Sequence, residues 1–342
     1  MSLFIVTKRG VIVKQPKQQY SRVKSKLKRM TISILTILIL LVSIHYLSTA
    51  NLNPVIKPAI AETKQDITKS NSHQTNLSTQ DLSYVLINPK TNQILKSHNP
   101  DTQRAPASTL KLITGLIAID ALKTTDIVKV GTEVNVEGSR LGLSPGDQIS
   151  VQNLLIALYV NSSNDAAAAL AVKISGSIPA FAQRMNEYAA TLGCQNTHFT
   201  NPHGMPEPGQ YTTANDLSKI ALRFIENEEL MEFVQEVSAH VQWTDAEGIL
   251  HNAYLQNTNR LLEVYPGDKG LKTGTTTEAG QCLVTYVSRP DGDLLLVLLG
   301  SKQRYEDTIL LLDETWAEQR PKAALKGLAK DPRSLILSPG LF

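Results

Sequence analysis

The stretch that most constrains this 342-residue chain is Ala-Pro-Ala-Ser-Thr-Leu-Lys at residues 105–111, in front of a long apolar run. Pro106 is typical of a helix start, so Ser108 is expected in the first turn, where backbone N–H groups lack partners. Ser108 and Lys111 are three residues apart and therefore share one face of a helix. A serine becomes a nucleophile when a base takes its proton, and a lysine is such a base only when its pKa falls below about 10.4. The alternative is a helix-start serine beside a solvated lysine.

The helix after Lys111 offers a setting in which a lysine stays neutral. It is apolar on nearly every side, which predicts a buried helix. Burial disfavours the charged form of a lysine and so lowers its pKa. The apolar residues are Leu112, Ile113, Leu116, Ile117, Ile119 and Leu122.

Charge is unevenly distributed along the chain. Residues 1–30 carry nine Lys or Arg and no acid, while the whole chain has 34 basic and 31 acidic residues. After those nine are set aside, 25 basic residues face 31 acidic ones, a balance of −6. The body of the chain therefore lacks the basic footprint of a nucleic-acid-binding domain.

The basic residues precede an apolar segment within 31–50, an order that keeps residues 1–30 in the cytoplasm and exports the remainder of the chain. This apolar run is short for a membrane span and suits the core of a signal peptide. Small residues at 48–50 and at 59–61 offer two cleavage sites. Cleavage and retention as an anchor in the cytoplasmic membrane both stay open.

Residues 51–80 are polar and without period, which is typical of a linker. The folded domain is expected over 81–320, with a C-terminal tail over 321–342. Within the domain, apolar runs and turn residues predict a first hairpin at 84–88 and 93–95, and a short strand or hairpin within 127–136. Further expected elements are helices at 151–160, 165–172 and 178–192, a helix capped near 212–213, and strands at 281–287 and 294–300 joined at Asp291-Gly292.

Two further patterns place polar groups where a substrate can be held. Ser162 and Asn164 lie in the tight connection between two predicted helices, where a hydroxyl and an amide can point to one substrate. The alternative is N-capping of the second helix by a Ser or Asn of the tetrapeptide 161–164. Lys272-Thr273-Gly274 lies on a predicted strand edge, where a cation and a hydroxyl can hold a carboxylate and glycine lets a substrate backbone approach.

Three residues outside these patterns leave choices open. Cys194 and Cys282 are too few for a disulfide scaffold and have no metal-ligand spacing, so they either pair after export or stay as buried thiols. His203 lies in a loop rich in Gly and Pro. It is either catalytic or holds the backbone of that loop.

Taken in order, S-x-x-K, S-x-N and K-T-G in one exported chain resemble the active-site serine penicillin-recognising enzymes. Within that group, the chain is similar to the low-molecular-mass D-alanyl-D-alanine peptidases. The similarity extends over the whole folded region. The segments that carry it are 105–111, 163–168, 196–204, 257–262 and 270–274. The resemblance implies an α+β fold of the β-lactamase and transpeptidase type, with an antiparallel sheet flanked by helices and a helical lobe that carries Ser162.

The resemblance also implies catalytic roles. Ser108 attacks the carbonyl of the penultimate D-alanine, and Lys111 accepts its proton. Ser162 relays a proton to the departing amine, and Asn164 holds the peptide amide. Peptidoglycan stem peptides are the implied substrates, and β-lactam antibiotics acylate Ser108 as their mimics. Neither a metal nor an organic cofactor is implied.

On the other wall of the site, Lys272 and Thr273 are implied to bind the terminal carboxylate, and Gly274 allows close approach. The oxyanion hole is expected from the backbone N–H groups of Ser108 and Thr275.

The resemblance leaves several activities open for this chain, of which a carboxypeptidase is the first. Many carboxypeptidases of the group carry a β-rich second domain and a C-terminal anchor, for which the residues after Trp316 are too few. Relatives without that domain include endopeptidases that cut D-alanyl cross-links. A β-lactamase needs a glutamate-activated water, and no E-x-x-L-N segment lies between Asn164 and Lys272. The remaining alternative is a penicillin-binding sensor that does not turn over. The motif residues of a working enzyme argue against it, since the chain retains Ser108, Lys111, Ser162 and Lys272.

Overall fold

The structure is a computed structural model that describes residues 81–290 and 292–330. The basic segment, the apolar segment and the linker expected over residues 1–80 lie outside this part. So does the end of the expected tail, from residue 331. In the part that is described, no helix combines the length and the apolar composition that a bilayer span requires.

The described chain forms nine strands and eight α-helices, which fall into a sheet layer and a helical lobe. The strands are β1 (Ser83–Asn88), β2 (Gln93–His98), β3 (Ile127–Lys129), β4 (Gln148–Ser150), β5 (Ser238–Thr244), β6 (Leu250–Gln256), β7 (Asp268–Thr276), β8 (Gly280–Arg289) and β9 (Gly292–Ser301). The helices are α1 (Lys111–Ala121), α2 (Val151–Val160), α3 (Asn164–Ser175), α4 (Ile178–Thr191), α5 (Ala214–Ile225), α6 (Glu228–Gln235), α7 (Leu261–Val264) and α8 (Arg304–Lys330).

The main sheet has five antiparallel strands in the order β2-β1-β9-β8-β7. Its central strand β9 is buried on both faces, because its side chains alternate between two apolar clusters. Odd-numbered residues from Leu295 to Leu299 pack with the helical lobe, and even-numbered residues from Leu294 to Leu298 pack with Trp316 of α8. Each buried leucine stabilises the fold by about 1.5–3 kcal/mol relative to exposure. The expected antiparallel sheet flanked by helices is confirmed.

Helix α1 is buried in the lobe, as its composition predicts, and it packs closely against α2. Gly115 makes this approach possible, since a Cβ there would lie 1.6 Å from the hydroxyl of Tyr159. That hydroxyl donates to the carbonyl of Lys111 at 3.3 Å. The contact fixes the backbone of Lys111, the first residue of α1, and therefore the position from which its side chain extends.

Local patterns placed several elements correctly. The β1–β2 hairpin, helix α2 and the K-T-G strand, which is the edge strand β7, lie where the sequence predicts them. The expected turn at Asp291-Gly292 includes Asp291, which lies outside the described residues. Within 127–136, the strand ends at Lys129 and a short 3₁₀ turn comes after it.

A second sheet, of order β3-β4-β5-β6, was not predicted. Strands β3 and β4 have three residues each, too few to show the alternation of apolar and polar side chains that marks a strand in a sequence. Strand β6 exposes Leu250 and Tyr254 at 60% and 63%, so its pattern does not mark a buried face. At the other end of the domain, helix α8 continues to Lys330, beyond the boundary expected at residue 320.

Candidate active site

Ser108 lies in a 3₁₀ turn, Ala107–Leu110, directly before α1. Ala107 has a φ of +47°, a left-handed conformation that non-glycine residues rarely adopt. The strained turn presents Ser108 at the junction of the lobe and the main sheet. The predicted contact between Ser108 and Lys111 is present, with 2.8 Å between Oγ and Nζ.

Lys111 is fully buried, and three oxygens surround its Nζ. Besides Ser108 Oγ, these are Asn164 Oδ1 at 2.7 Å and the carbonyl of His203 at 2.5 Å. Burial holds the pKa of Lys111 well below its usual range, and the positive charge of Lys272 lowers it further, while Asp165 acts in the opposite direction. A neutral amine has two N–H groups for the two carbonyl oxygens and one lone pair for the Ser108 hydroxyl. This is the arrangement that a general base requires.

Asn164 begins α3, but its side chain does not cap that helix. Its Oδ1 accepts from Lys111, and its Nδ2 donates to the carbonyl of Glu137 at 2.6 Å. The N-cap residue is Ser163, which makes no side-chain capping bond. Neither Ser162 nor Asn164 therefore caps α3, and the amide of Asn164 instead orients Lys111.

Ser162 is also held in the left-handed region, with a φ of +61°, and is almost buried. Its hydroxyl has no hydrogen-bond partner among the described residues. It lines the cavity that Ser108 also lines. A proton relay through Ser162 therefore depends on groups that the substrate would bring.

Strand β7 forms the opposite wall. A Cβ on Gly274 would lie 2.8 Å from the backbone nitrogen of Ser108, so glycine is required for this close approach. Thr273 Oγ1 lies 2.7 Å from Thr258 Oγ1. Lys272 is buried and donates to the carbonyl of Thr273 at 3.0 Å. Burial, together with the charge of Arg304, lowers the pKa of Lys272 to about 7.

Arg304, at the start of α8, is a site residue that the sequence did not reveal. Its Nη1 donates to the carbonyls of Gly274 and Cys282, each at 2.9 Å, and its Nη2 donates to Thr275 Oγ1. Arg304 lines the large cavity, whereas Lys272 does not. No local motif marks this arginine, because its partners lie on β7 and β8.

Two cavities meet at Ser108. The first, of about 710 Å³, includes Ser162, Thr273, Thr275 and Arg304 in its lining. The second, of about 530 Å³, is also lined by Asn164, Met205 and Glu278. A substrate can therefore extend to both sides of the nucleophile.

His203 contributes its backbone to the site. Its carbonyl accepts from Lys111, and its Nδ1 accepts from the backbone N–H of Met205 at 3.2 Å. Burial lowers the pKa of His203 to about 3, and the charge of Lys111 adds to this effect. The neutral ring holds the loop, in agreement with the non-catalytic alternative.

Asp165 is a second residue that the sequence did not single out. Its buried carboxylate accepts from the backbone N–H groups of Leu141, Gly142 and Leu143 at 2.8–3.1 Å. These bonds fix the loop that follows Ser139, a residue that lines both cavities. The described residues contain no cluster of His, Cys, Asp or Glu with metal-binding geometry, and the thiols of Cys194 and Cys282 are both free.

Comparison with known sequences identifies the family. Residues 68–303 match the sequence profile of the D-alanyl-D-alanine carboxypeptidases, peptidase family S11. The chain belongs to this S11 family. The family assignment agrees with the resemblance carried by the three motifs.

Named S11 relatives are moderately similar to the chain. It is 33% identical over 245 residues to D-alanyl-D-alanine carboxypeptidase DacF of Bacillus subtilis, covering 69% of this chain and 62% of the relative. It is 37% identical over 254 residues to DacD of Escherichia coli, covering 69% and 63%. The chain thus spans about six tenths of the length of these curated relatives.

Solved structures of similar fold agree with this assignment. The Streptomyces K15 DD-transpeptidase is 28% identical, with a TM-score of 0.65 over 68% of this chain and 96% of that one. The D-alanyl-D-alanine carboxypeptidase DacD of Francisella tularensis is 27% identical, with a TM-score of 0.62 over 67% and 68%.

Proposed function

We propose that this domain is a serine-type D-Ala-D-Ala carboxypeptidase that removes the terminal D-alanine from peptidoglycan stem peptides. One observation carries the proposal. A fully buried Lys111, with its pKa well below the usual range, lies 2.8 Å from Ser108 where two cavities meet. The D-alanyl-D-alanine carboxypeptidase names of the S11 relatives support the same activity.

In the proposed acylation step, Ser108 Oγ attacks the carbonyl carbon of the penultimate D-alanine, and its proton moves to the lone pair of Lys111 Nζ. The backbone N–H groups of Ser108 and Thr275 hold the oxyanion. The C–N bond then breaks, and the proton held by Lys111 passes through the hydroxyl of Ser162, which gives up one proton and regains another, to the amine of the departing D-alanine. An ester of Ser108 remains, and water hydrolyses it.

Substrate binding is proposed to use both walls of the site. Asn164 keeps one N–H and one lone pair beyond its present bonds, enough to hold the peptide amide. Across the site, Thr273 and Thr275 supply hydroxyls, and Gly274 allows the peptide to lie close to β7. We add Arg304 to the predicted cation Lys272 as a partner of the terminal carboxylate, because its guanidinium lines the cavity.

β-Lactam antibiotics are proposed as covalent inhibitors, because a β-lactam presents a reactive carbonyl and a carboxylate to the same groups. A stable ester on Ser108 would then block the site. The predicted membrane contact of residues 31–50 concerns residues outside the described part. We propose that the domain works outside the cytoplasmic membrane, where peptidoglycan lies. An exported-reporter fusion after Phe342 should be active, and deletion of residues 1–50 should abolish its activity.

The test of function uses purified muropeptides and mass spectrometry. The wild-type chain should convert pentapeptide stems to tetrapeptides with release of D-alanine, and Ser108→Ala should not. A wild-type protein that is acylated by penicillin but leaves pentapeptides intact would support the sensor alternative instead.

Endopeptidase activity on D-alanyl cross-links is a second candidate, and the size of the first cavity favours it. At about 710 Å³, this cavity is as large as sites for drug-sized ligands, far more than one alanine needs. It continues past Arg304 to Arg260, Val264 and Tyr305. Comparing the rates on cross-linked dimers and on monomeric pentapeptides distinguishes the two activities, because only an endopeptidase cuts dimers faster.

A further inference from the structure

The two cavities on either side of Ser108 differ in charge. The first is lined by Arg304 and Arg260, together with Glu263. Among the described residues that line the second, the one ionisable side chain is Glu278. An extended ligand that crosses Ser108 therefore meets cationic groups at one end and a carboxylate at the other.

Glu278 is held by the turn between β7 and β8. The backbone N–H of Ala279 donates to Thr276 Oγ1 at 3.0 Å, and Gly280 closes the turn with a φ of +66°. The carboxylate of Glu278 makes no hydrogen bond or ion pair with any other described side chain. It is solvent-exposed at the mouth of the cavity.

The direction of the substrate comes from the proposed function, on which this inference rests. If the terminal carboxylate lies near Arg304, the acyl part of the peptide enters the second cavity. At about 3.3 Å per residue, Glu278 lies at most about 13 Å along the chain from Gly274, which contacts Ser108. One extended peptide residue, its aminoalkyl side chain and the glutamate side chain together span that distance.

We propose that Glu278 binds the side-chain ammonium of the residue that precedes D-Ala-D-Ala. Stem peptides in which that side-chain amine is free are then preferred over those in which it is acylated. Neutral neighbours such as Met205 and Thr277 accommodate the methylene groups of that side chain. Glu278 is a specificity residue and takes no part in bond making.

The test compares two tripeptides that differ in one charge. Nα-acetyl-L-lysyl-D-Ala-D-Ala has a free ε-amine, and Nα,Nε-diacetyl-L-lysyl-D-Ala-D-Ala has a neutral amide in its place. An exposed ion pair favours the amine by about two- to fivefold in kcat/KM, and this preference should weaken as salt rises. Glu278→Gln should remove the preference, and Glu278→Lys should reverse it.

Glu247→Gln is the matched control, because Glu247 is an exposed acid in the β5–β6 turn that lines neither cavity. It should keep the wild-type preference. Penicillin labelling at equal protein load reports that each variant is folded. An unchanged preference in Glu278→Gln, or equal rates of the wild type on both peptides, overturns the role of Glu278 alone. If the wild type hydrolyses neither peptide, the proposed function fails and this inference fails with it.

Discussion

Lys111 Nζ lies 2.8 Å from Ser108 Oγ, and the two carbonyl oxygens on its other side occupy both N–H groups of a neutral amine. Lys111→Ala should therefore lower the rate constant of acylation by penicillin by at least about 100-fold, since general-base catalysis contributes about 10²–10⁴. Stopped-flow labelling with a fluorescent penicillin measures this rate constant. Lys173→Ala, at an exposed lysine on α3, should acylate at the wild-type rate. Wild-type acylation by Lys111→Ala would reduce Lys111 to a structural role.

The pH dependence of acylation reports on the same lysine. Burial lowers the pKa of Lys111 well below its usual range, so its neutral, basic form persists to a lower pH than that of an ordinary lysine and is lost on acidification. The acylation rate constant should therefore reach its plateau well below about pH 10 and fall as the pH is lowered further. An ordinary lysine, with a pKa of about 10.4, would instead give a rate that rises tenfold per pH unit up to about pH 10. Such a rise would contradict the neutral base.

Arg304 should be the stronger partner of the substrate carboxylate. A charge-assisted contact is worth about 1.5–3 kcal/mol, so Arg304→Gln should lower kcat/KM on peptides with a free D-alanyl terminus by about ten- to hundredfold. Peptides with an amidated terminus should lose much less. Lys272→Ala should show a smaller difference between the two peptides, because Lys272 is buried and does not line the cavity that Arg304 lines.

The pH profile separates these two cations. The pKa of Lys272 is about 7, so a carboxylate held by Lys272 would bind more weakly above that pH as the lysine loses its proton. Arginine stays protonated throughout this range. We expect the KM for the free-carboxylate peptide to stay level between about pH 7 and 9. If Arg304→Gln lowered kcat/KM equally on the free and the amidated peptides, Arg304 would not bind the terminal carboxylate.

Gly204 supports the nucleophile turn from behind. A Cβ there would lie 2.0 Å from the carbonyl of Ala107, and the φ of +91° also disfavours a side chain. Gly204→Ala should lower the free energy of unfolding by more than about 2 kcal/mol and slow acylation, because Ala107 and Ser108 must shift. Gly248→Ala is the control, with a φ of +87° and no atom within 4 Å. It should cost only about 1–2 kcal/mol in urea unfolding and leave acylation unchanged. If the two variants lost the same free energy of unfolding and acylated at the same rate, close packing of Gly204 against Ala107 would have no part in holding the turn.

Local patterns explain why part of the fold and site could be predicted from the sequence. Ser108 and Lys111 meet because they are three residues apart at a helix start, and composition alone predicts that α1 is buried. The β7–β8 hairpin likewise depends on neighbouring residues. These parts of the fold and site need no information about distant contacts.

Other parts depend on tertiary contacts that no short motif encodes. Asn164 is 53 residues from Lys111, and whether its amide caps α3 or orients the lysine is decided by packing. Arg304 reaches Gly274 from a different element, 30 residues away. The β3–β6 sheet was missed because two of its strands have three residues and β6 exposes apolar side chains.

Mapping the penicillin adduct by mass spectrometry tests most directly whether Ser108 is the nucleophile. The wild-type chain, incubated with benzylpenicillin and digested, should carry one penicilloyl group on the peptide that contains Ser108. Ser108→Ala should carry none at equal protein load, because the ester needs that oxygen. An adduct that persists in Ser108→Ala, or that maps to another residue in the wild type, would contradict the assignment of Ser108 and the mechanism built on it.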